Sequence, residues 1–151
     1  MSKEKKILLL GSSGSLGQKV KEIIKFNSRL IIKSPSSSYL NFNKKNSKKI
    51  LHNLLSKHNF DVIINCIGVF GNNSKNFNDI INPNLKSSWE IINYFLNKNP
   101  KKKIKIILIG SSAFSGPRKN YMLYAASKSA LNSLYKSSNE YFIKKKISIF
   151  I

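Results

Sequence analysis

Lys105–Lys128 reads KIILIGSSAFSGPRKNYMLYAASK. The apolar, β-branched run from Ile104 to Ile109 has the composition of a buried strand. It breaks at Gly110-Ser111-Ser112, crosses a loop holding Gly116 and Pro117, and enters a helical pattern near Tyr121. Ser111 therefore falls at the carboxyl end of a strand. Tyr124 and Lys128 fall on the first turns of the helix that follows. Residues four apart on a helix share a face, so a phenol and an amine are held together opposite a serine hydroxyl. A phenol has an ordinary pKa of about 10, and a neighbouring ammonium favours its phenolate. Such a group can give or take a proton at a carbonyl or alcohol oxygen that the serine hydrogen-bonds.

Spacing alone does not single out this pair. Among six tyrosines, Tyr94/Lys98 and Tyr141/Lys145 repeat it, as a lysine-rich chain does by chance. Only Tyr124 follows a strand and a Ser-Ser loop, with Ser111 thirteen residues before it. In these residues the chain resembles the short-chain dehydrogenase/reductase family, where a strand ending in Ser precedes Tyr-x-x-x-Lys. The register of YAASKSAL (residues 124–131) aligns Ser111 with the family's catalytic serine, and Ser112 is the alternative.

Ile7 to Leu10 read as a first strand, followed by Gly11-Ser-Ser-Gly14-Ser-Leu-Gly17 and a helical pattern of Leu16, Val20, Ile23 and Ile24. Strand, glycine loop and helix are the physical parts of a dinucleotide site. Glycines let the backbone approach a pyrophosphate, and the helix start offers N–H groups and a positive dipole end. The G-x-x-G-x-x-G spacing resembles the version in extended and atypical members of the family. The resemblance assigns Gly11, Ser13, Gly14, Ser15, Leu16 and Gly17 to the cofactor.

Leu30 to Ile32 form a second strand, and Tyr39 to Phe42 are expected to form a third. An NAD site usually carries an acid after the second strand, but no acid lies between Glu22 and Asp61. Lys33 with Ser34 or Ser36 can hold a 2′-phosphate instead, so NADP is favoured over NAD. The resemblance puts Asn41, beside Phe42, where the family has an acid contacting adenine. Asp61 to Gly68 make the fourth strand. Asn65, Cys66, Ile67 and Gly68 correspond to the family's Asn-Asn-Ala-Gly, with Gly68 admitting the cofactor ribose. Cys66, the one cysteine, excludes an intramolecular disulfide and reads as an inert core thiol.

Residues 69–83 read as an Asn-rich loop with a short helical turn. A helix is expected from Asn84, with Leu85, Trp89, Ile92 and Phe95 on one face. Asn84 is either a plain N-cap after Pro83 or the family's helix asparagine, which supports a water near the lysine. The helix of Tyr124 runs on through Leu131 and Leu134 to Phe142, and residues 147–151 begin another strand. Family members continue well beyond this point, so the chain reads as a truncated gene product or fragment.

The net charge of +21 is a solvated lysine surface, with only Arg29 and Arg118 as arginines and no nucleic-acid motif. No segment has the length of a membrane span, and the short basic-apolar start is no signal peptide. A cytoplasmic protein is expected.

Alternating strands and helices predict a doubly wound parallel α/β sheet. The expectation is a Rossmann-like, three-layer α/β/α single domain over residues 1–151, in strand order 3-2-1-4-5-6. The dinucleotide lies across strands 1 and 4. The resemblance implies an NAD(P)-dependent oxidoreductase acting on a small-molecule carbonyl or alcohol. Tyr124 is the acid/base, Lys128 favours its phenolate and holds the nicotinamide ribose, Ser111 orients the carbonyl, and Asn84 organises a water relay. No metal is expected. A nucleotide-sugar epimerase or dehydratase and a non-catalytic dinucleotide-binding domain are the alternatives. A homo-oligomer would form through helices at 84–98 and 122–145.

Overall fold

The computed structural model describes residues 4–151. Five strands form one parallel sheet: β1 (Lys5–Leu10), β2 (Leu30–Lys33), β3 (Val62–Asn65), β4 (Ile104–Leu108) and β5 (Ile147–Phe150). Their order is β2-β1-β3-β4-β5. In register, Leu10 is opposite Asn65, and Asn65 is opposite Leu108. The carboxyl ends of β1, β3 and β4 therefore finish level, and the segments that follow them converge at one edge.

Helices cover both faces, giving the expected α/β/α layering. On one side α1 (Ser15–Lys25) packs Val20 and Ile24 against Ile7, Leu9 and Ile64. On the other, α2 (Ser47–Lys57), α4 (Ser87–Leu96) and α5 (Met122–Phe142) cover Leu8, Leu10, Ile63, Ile106 and Leu108. The alternation within β4 divides the two cores: Ile104, Ile106 and Leu108 belong to the larger, Ile107 to the smaller. Burying each such side chain stabilises the fold by about 1.5–3 kcal/mol.

The strand expected at Tyr39 to Phe42 is absent, so five strands replace the expected six. Leu40 and Phe42 do point together into the large core, at 4% and 3% exposure. Local side-chain chemistry diverts the backbone between them. The N–H groups of Tyr39 and Leu40 donate to the Ser36 carbonyl, and Asn41 Oδ1 accepts from the Asn43 N–H at 2.9 Å. Ser and Asn offer the chain a turn that competes with a strand.

Two helices also depart from expectation. Ile23, placed on the apolar face of α1, is 69% exposed, while the neighbouring Ile24 is buried. The helix expected from Asn84 begins earlier: α3 (Phe77–Ile81) runs through a π-helical turn (Asn82–Lys86) into α4. Asn84 is thus inside a helix, and the N-cap alternative is excluded. Trp89 faces solvent at 40% exposure, and Ile91 takes its place in the core beside Ile92 and Phe95.

Candidate functional site

The glycine loop is held by contacts that only glycines permit. Gly11 has φ +76°, and a Cβ there would stand 2.7 Å from the Cys66 carbonyl carbon and the Ile67 nitrogen. A Cβ on Gly17 would collide with the Gly11 carbonyl, lying 2.8 Å from its carbon and 2.9 Å from Ser12 Cα. Both are packing glycines, one against the β3 end and one against the loop itself. Gly14 differs. Its Cβ would meet only the Gly11 oxygen, at an ordinary 3.6 Å. It is also the N-cap of α1, where no side chain caps the helix and no acid occupies the first turn. The first-turn N–H groups, from Ser15 to Gly17, are left to an anion from outside.

A cleft of about 350 Å³ opens over this loop, within the size range of small-molecule and cofactor sites. Of the residues predicted from sequence, Gly11, Ser13, Gly14, Asn41, Phe42, Ile67 and Gly68 line it. Ser15, Leu16 and Gly17 sit behind it in α1, outside its wall. Asn65 is also outside: it is buried, its Nδ2 donating to Ser87 Oγ at 2.9 Å and Ser88 Oγ at 3.0 Å. Its Oδ1 accepts the Ile67 N–H at 3.2 Å. Asn65 therefore ties β3 to α4 and shapes the loop that Gly68 presents.

Lys33 does not reach the cleft. Its Nζ is 2.8 Å from His58 Nε2, in a separate cavity bounded by α2. Burial and then the nearby Lys33, Lys6 and Lys57 push the His58 pKa below its ordinary value. The ring so favoured, neutral imidazole, can accept from the lysine. Ser37, Asn43, Val69 and Pro83, not among the residues predicted from sequence, also line the cleft. Their signal was positional: Ser37 adjoins Ser36, Asn43 adjoins Phe42, Val69 adjoins Gly68 and Pro83 adjoins Asn84. Cys66 is half-buried one residue past β3, where it packs against the smaller core and also lines the cleft, and burial raises its thiol pKa.

The second half of the site lies at the β4 end. Ser111 precedes a 3₁₀ turn (Ser112–Ser115), and its Oγ accepts the Ala113 N–H at 3.1 Å. That turn packs against α5, which carries Tyr124 and Lys128. Lys128 is 5% exposed, and its Nζ donates to the Ile109 carbonyl at 2.8 Å. The amine lies 5.8 Å from the centre of the Tyr124 ring. Burial pulls the Lys128 pKa below its ordinary value. Lys98 and Lys145 lie at similar distances from Tyr94 and Tyr141, 5.4 and 4.4 Å. Neither is buried, and Lys145 donates to the Leu96 carbonyl, where α4 ends before β4 begins. Those pairs stand at the opposite end of the sheet.

Gly68 joins the halves. It lines the cleft, and a Cβ there would lie 3.2 Å from Asn84 Oδ1 and 3.9 Å from Lys128 Nζ. Asn84 is 1% exposed, and all three of its side-chain bonds are internal. Oδ1 accepts the Val69 N–H at 2.7 Å, while Nδ2 donates to the Val69 carbonyl at 3.0 Å and to Ser127 Oγ at 3.1 Å. Ser127 in turn donates to the Tyr124 carbonyl at 2.6 Å. The π turn aims Asn84 at this junction, a frequent use of that irregularity. Among the described residues no cluster of side chains has the make-up of a metal site, and no helix is long and apolar enough to cross a membrane.

The family model for short chain dehydrogenase matches residues 1–151, and the chain belongs to that family. Among solved structures, a short chain dehydrogenase family protein from Francisella tularensis subsp. tularensis SCHU S4 superposes with TM-score 0.79 at 20% identity, covering 95% of this chain. This chain spans 66% of that protein's length. A metagenomic short-chain oxidoreductase in complex with NADP matches at TM-score 0.78 and 19% identity, over 97% of this chain and 80% of its own. The NADH-dependent reductase A1-R′ complexed with NAD matches at 0.75 and 17%, over 97% and 76%. No curated protein matches the sequence.

Proposed function

We propose that this member of the short-chain dehydrogenase family is the dinucleotide-binding domain of an oxidoreductase that interconverts a carbonyl and an alcohol. The observation that carries it is the buried Lys128, held by the Ile109 carbonyl, beside the Tyr124 ring and next to Gly68 at the inner end of the cleft.

The glycine loop and bare helix start in the cleft suit the pyrophosphate of a nicotinamide dinucleotide, and the structural neighbours above include complexes with NADP and NAD. We assign the pyrophosphate to the uncapped start of α1 over Gly14, with Asn41 and Ser37 toward the adenosine end and Gly68 toward the nicotinamide ribose. Lys33 drops out of the argument for NADP. What supports NADP over NAD is that, among the described residues, no carboxylate lines the cleft to accept a ribose 2′-hydroxyl or repel a 2′-phosphate.

When bound, the dinucleotide supplies or accepts the hydride at the carbonyl carbon. Tyr124 supplies the accompanying proton. In reduction its O–H protonates the carbonyl oxygen as the alcohol forms, and water restores the phenol. In oxidation the phenolate takes the alcohol proton. The Lys128 ammonium stabilises the phenolate and would also hold the ribose hydroxyls of a bound dinucleotide. Ser111 Oγ already accepts from Ala113, so its own proton is directed elsewhere, toward the substrate oxygen. Asn84 fixes Val69 and, through Ser127, the Tyr124 turn of α5. We assign self-association to the apolar groove between α4 and α5, lined by Leu85, Trp89 and Leu134.

The test is NADPH oxidation, followed by absorbance, with a panel of ketones. Tyr124→Phe should lower turnover by at least the ~10²-fold typical of a lost general acid and leave NADPH affinity unchanged. Tyr94→Phe and Tyr141→Phe should change neither. A Tyr124→Phe protein with wild-type turnover contradicts the assignment.

A further inference from the structure

The loop after β3 displays an aromatic ring for which the reaction described above has no use. Phe70 is 66% exposed, yet the backbone on both sides of it is fixed. On one side Asn84 satisfies both the N–H and the carbonyl of Val69. On the other, Asn73 crosses to the segment that begins α5. Its N–H donates to the Asn120 carbonyl at 3.2 Å and its Nδ2 to the Lys119 carbonyl at 2.9 Å, while its Oδ1 accepts the Met122 N–H at 3.0 Å. Gly71, between the anchors, is buried, and a Cβ there would press on Ile80 and Lys75.

The anchored ring meets the tyrosine of the catalytic edge. Phe70 packs edge-to-face on Tyr124, with centroids 5.0 Å apart and planes at 74°. It lies tilted by 34° on Tyr121 at 4.5 Å. Both are favourable aromatic geometries, and they leave most of the Phe70 surface open beside the phenol. An exposed ring held in one place loses little further freedom when something flat stacks on it.

We propose that Phe70, supported by Tyr121, is a specificity-determining residue: it seats an aryl group attached to the substrate carbonyl. The proposal rests on Tyr124 as the proton donor. It adds the substrate class, aryl ketones and aldehydes or their alcohols. An aryl ring lying along Phe70 brings the attached carbonyl to the Tyr124 hydroxyl, whereas a small aliphatic ketone has nothing to lie on.

Binding of 2-acetylnaphthalene, with NADP present, tests this by ligand-observed NMR titration. Phe70→Ala should weaken it about 10-fold, within the range an apolar contact contributes to discrimination. Phe70→Trp should restore it, and 2-butanone should respond to neither change. Thermal melts of both variants should stay close to wild type, because the ring is mostly exposed and Asn84 and Asn73 anchor the backbone on either side of it. Equal affinity in wild type and Phe70→Ala, or no binding of 2-acetylnaphthalene to wild type, overturns the proposal. Tyr124→Phe separates the two claims. It should keep 2-acetylnaphthalene binding and lose turnover. Retained turnover in that variant would overturn the acid/base role of Tyr124, and with it the substrate class assigned through that role.

Discussion

The glycine loop between β1 and α1 and the Ser111–Tyr124–Lys128 edge between β4 and α5 lie at the same end of one sheet, built by opposite means. The loop works by having no side chains: Gly11 and Gly17 let main chain touch main chain, and Gly14 leaves the helix start bare. The edge works by fixing side chains. Lys128 is tied to the Ile109 carbonyl, Ser111 to the Ala113 N–H, and Asn84 to Val69 and Ser127. A surface for phosphates needs N–H groups and space. A proton donor needs a placed oxygen and a placed charge. Damage to the first region should therefore appear in binding or folding, and damage to the second in turnover.

The sharpest separation within the loop is between Gly14 and Gly17. Gly14→Val should abolish NADPH binding, read by nucleotide fluorescence, with an unchanged melting temperature, because its Cβ meets only ordinary contacts in the protein. Gly17→Ala should instead destabilise the fold by about 1–3 kcal/mol in urea titration, the cost of forcing an atom into packed backbone. Equal melting temperatures for the two variants would break the distinction between packing and ligand-facing glycines.

Asn84→Ala sits next. It leaves the part-buried Val69 N–H and carbonyl without their side-chain partner, so it should cost about 1 kcal/mol of stability. Turnover should fall further than NADPH affinity, because the Asn84 chain ends at the Tyr124 carbonyl through Ser127. A variant with wild-type stability would show that Asn84 holds nothing.

The smallest effect concerns pH. Burial lowers the Lys128 pKa in the folded state. Between that lowered value and the unfolded value of about 10.4, the unfolded chain binds more protons, so stability attributable to Lys128 rises with pH. Urea melts of wild type and Lys128→Met at pH 7 and near pH 10 should show wild type gaining relative to the variant. A pH-independent difference would mean the amine is not desolvated.

These regions also differ in how far sequence alone discloses them. Glycine spacing between a strand and a helix is local, and so is the strand–loop–helix order that ends at Tyr-x-x-x-Lys. Both could be read in one pass along the chain, as could the order of the five strands. What could not be read depends on which long-range partner wins. Three tyrosines have a lysine four residues on; the strand and Ser-Ser loop before Tyr124 mark one pair in the sequence, but that Lys128 is the buried lysine of the three depends on tertiary contacts. Lys33 ends β2 where a phosphate ligand would stand, yet His58, twenty-five positions away, takes its amine. Tyr39 to Phe42 alternate like a strand, and Ser36 and Asn41 turn them. Asn84 follows a proline as an N-cap would, but α3 and the π turn place it mid-helix.

The proposed site places one dinucleotide across both regions, from the start of α1 to Lys128. NMR titration of isotope-labelled protein with NADP tests it most directly. The amides of Gly14 and Gly68 and the side-chain resonances of Lys128 and Tyr124 should shift together, along curves with one common Kd. Shifts confined to the glycine loop, with Lys128 and Tyr124 unmoved at saturation, would contradict it.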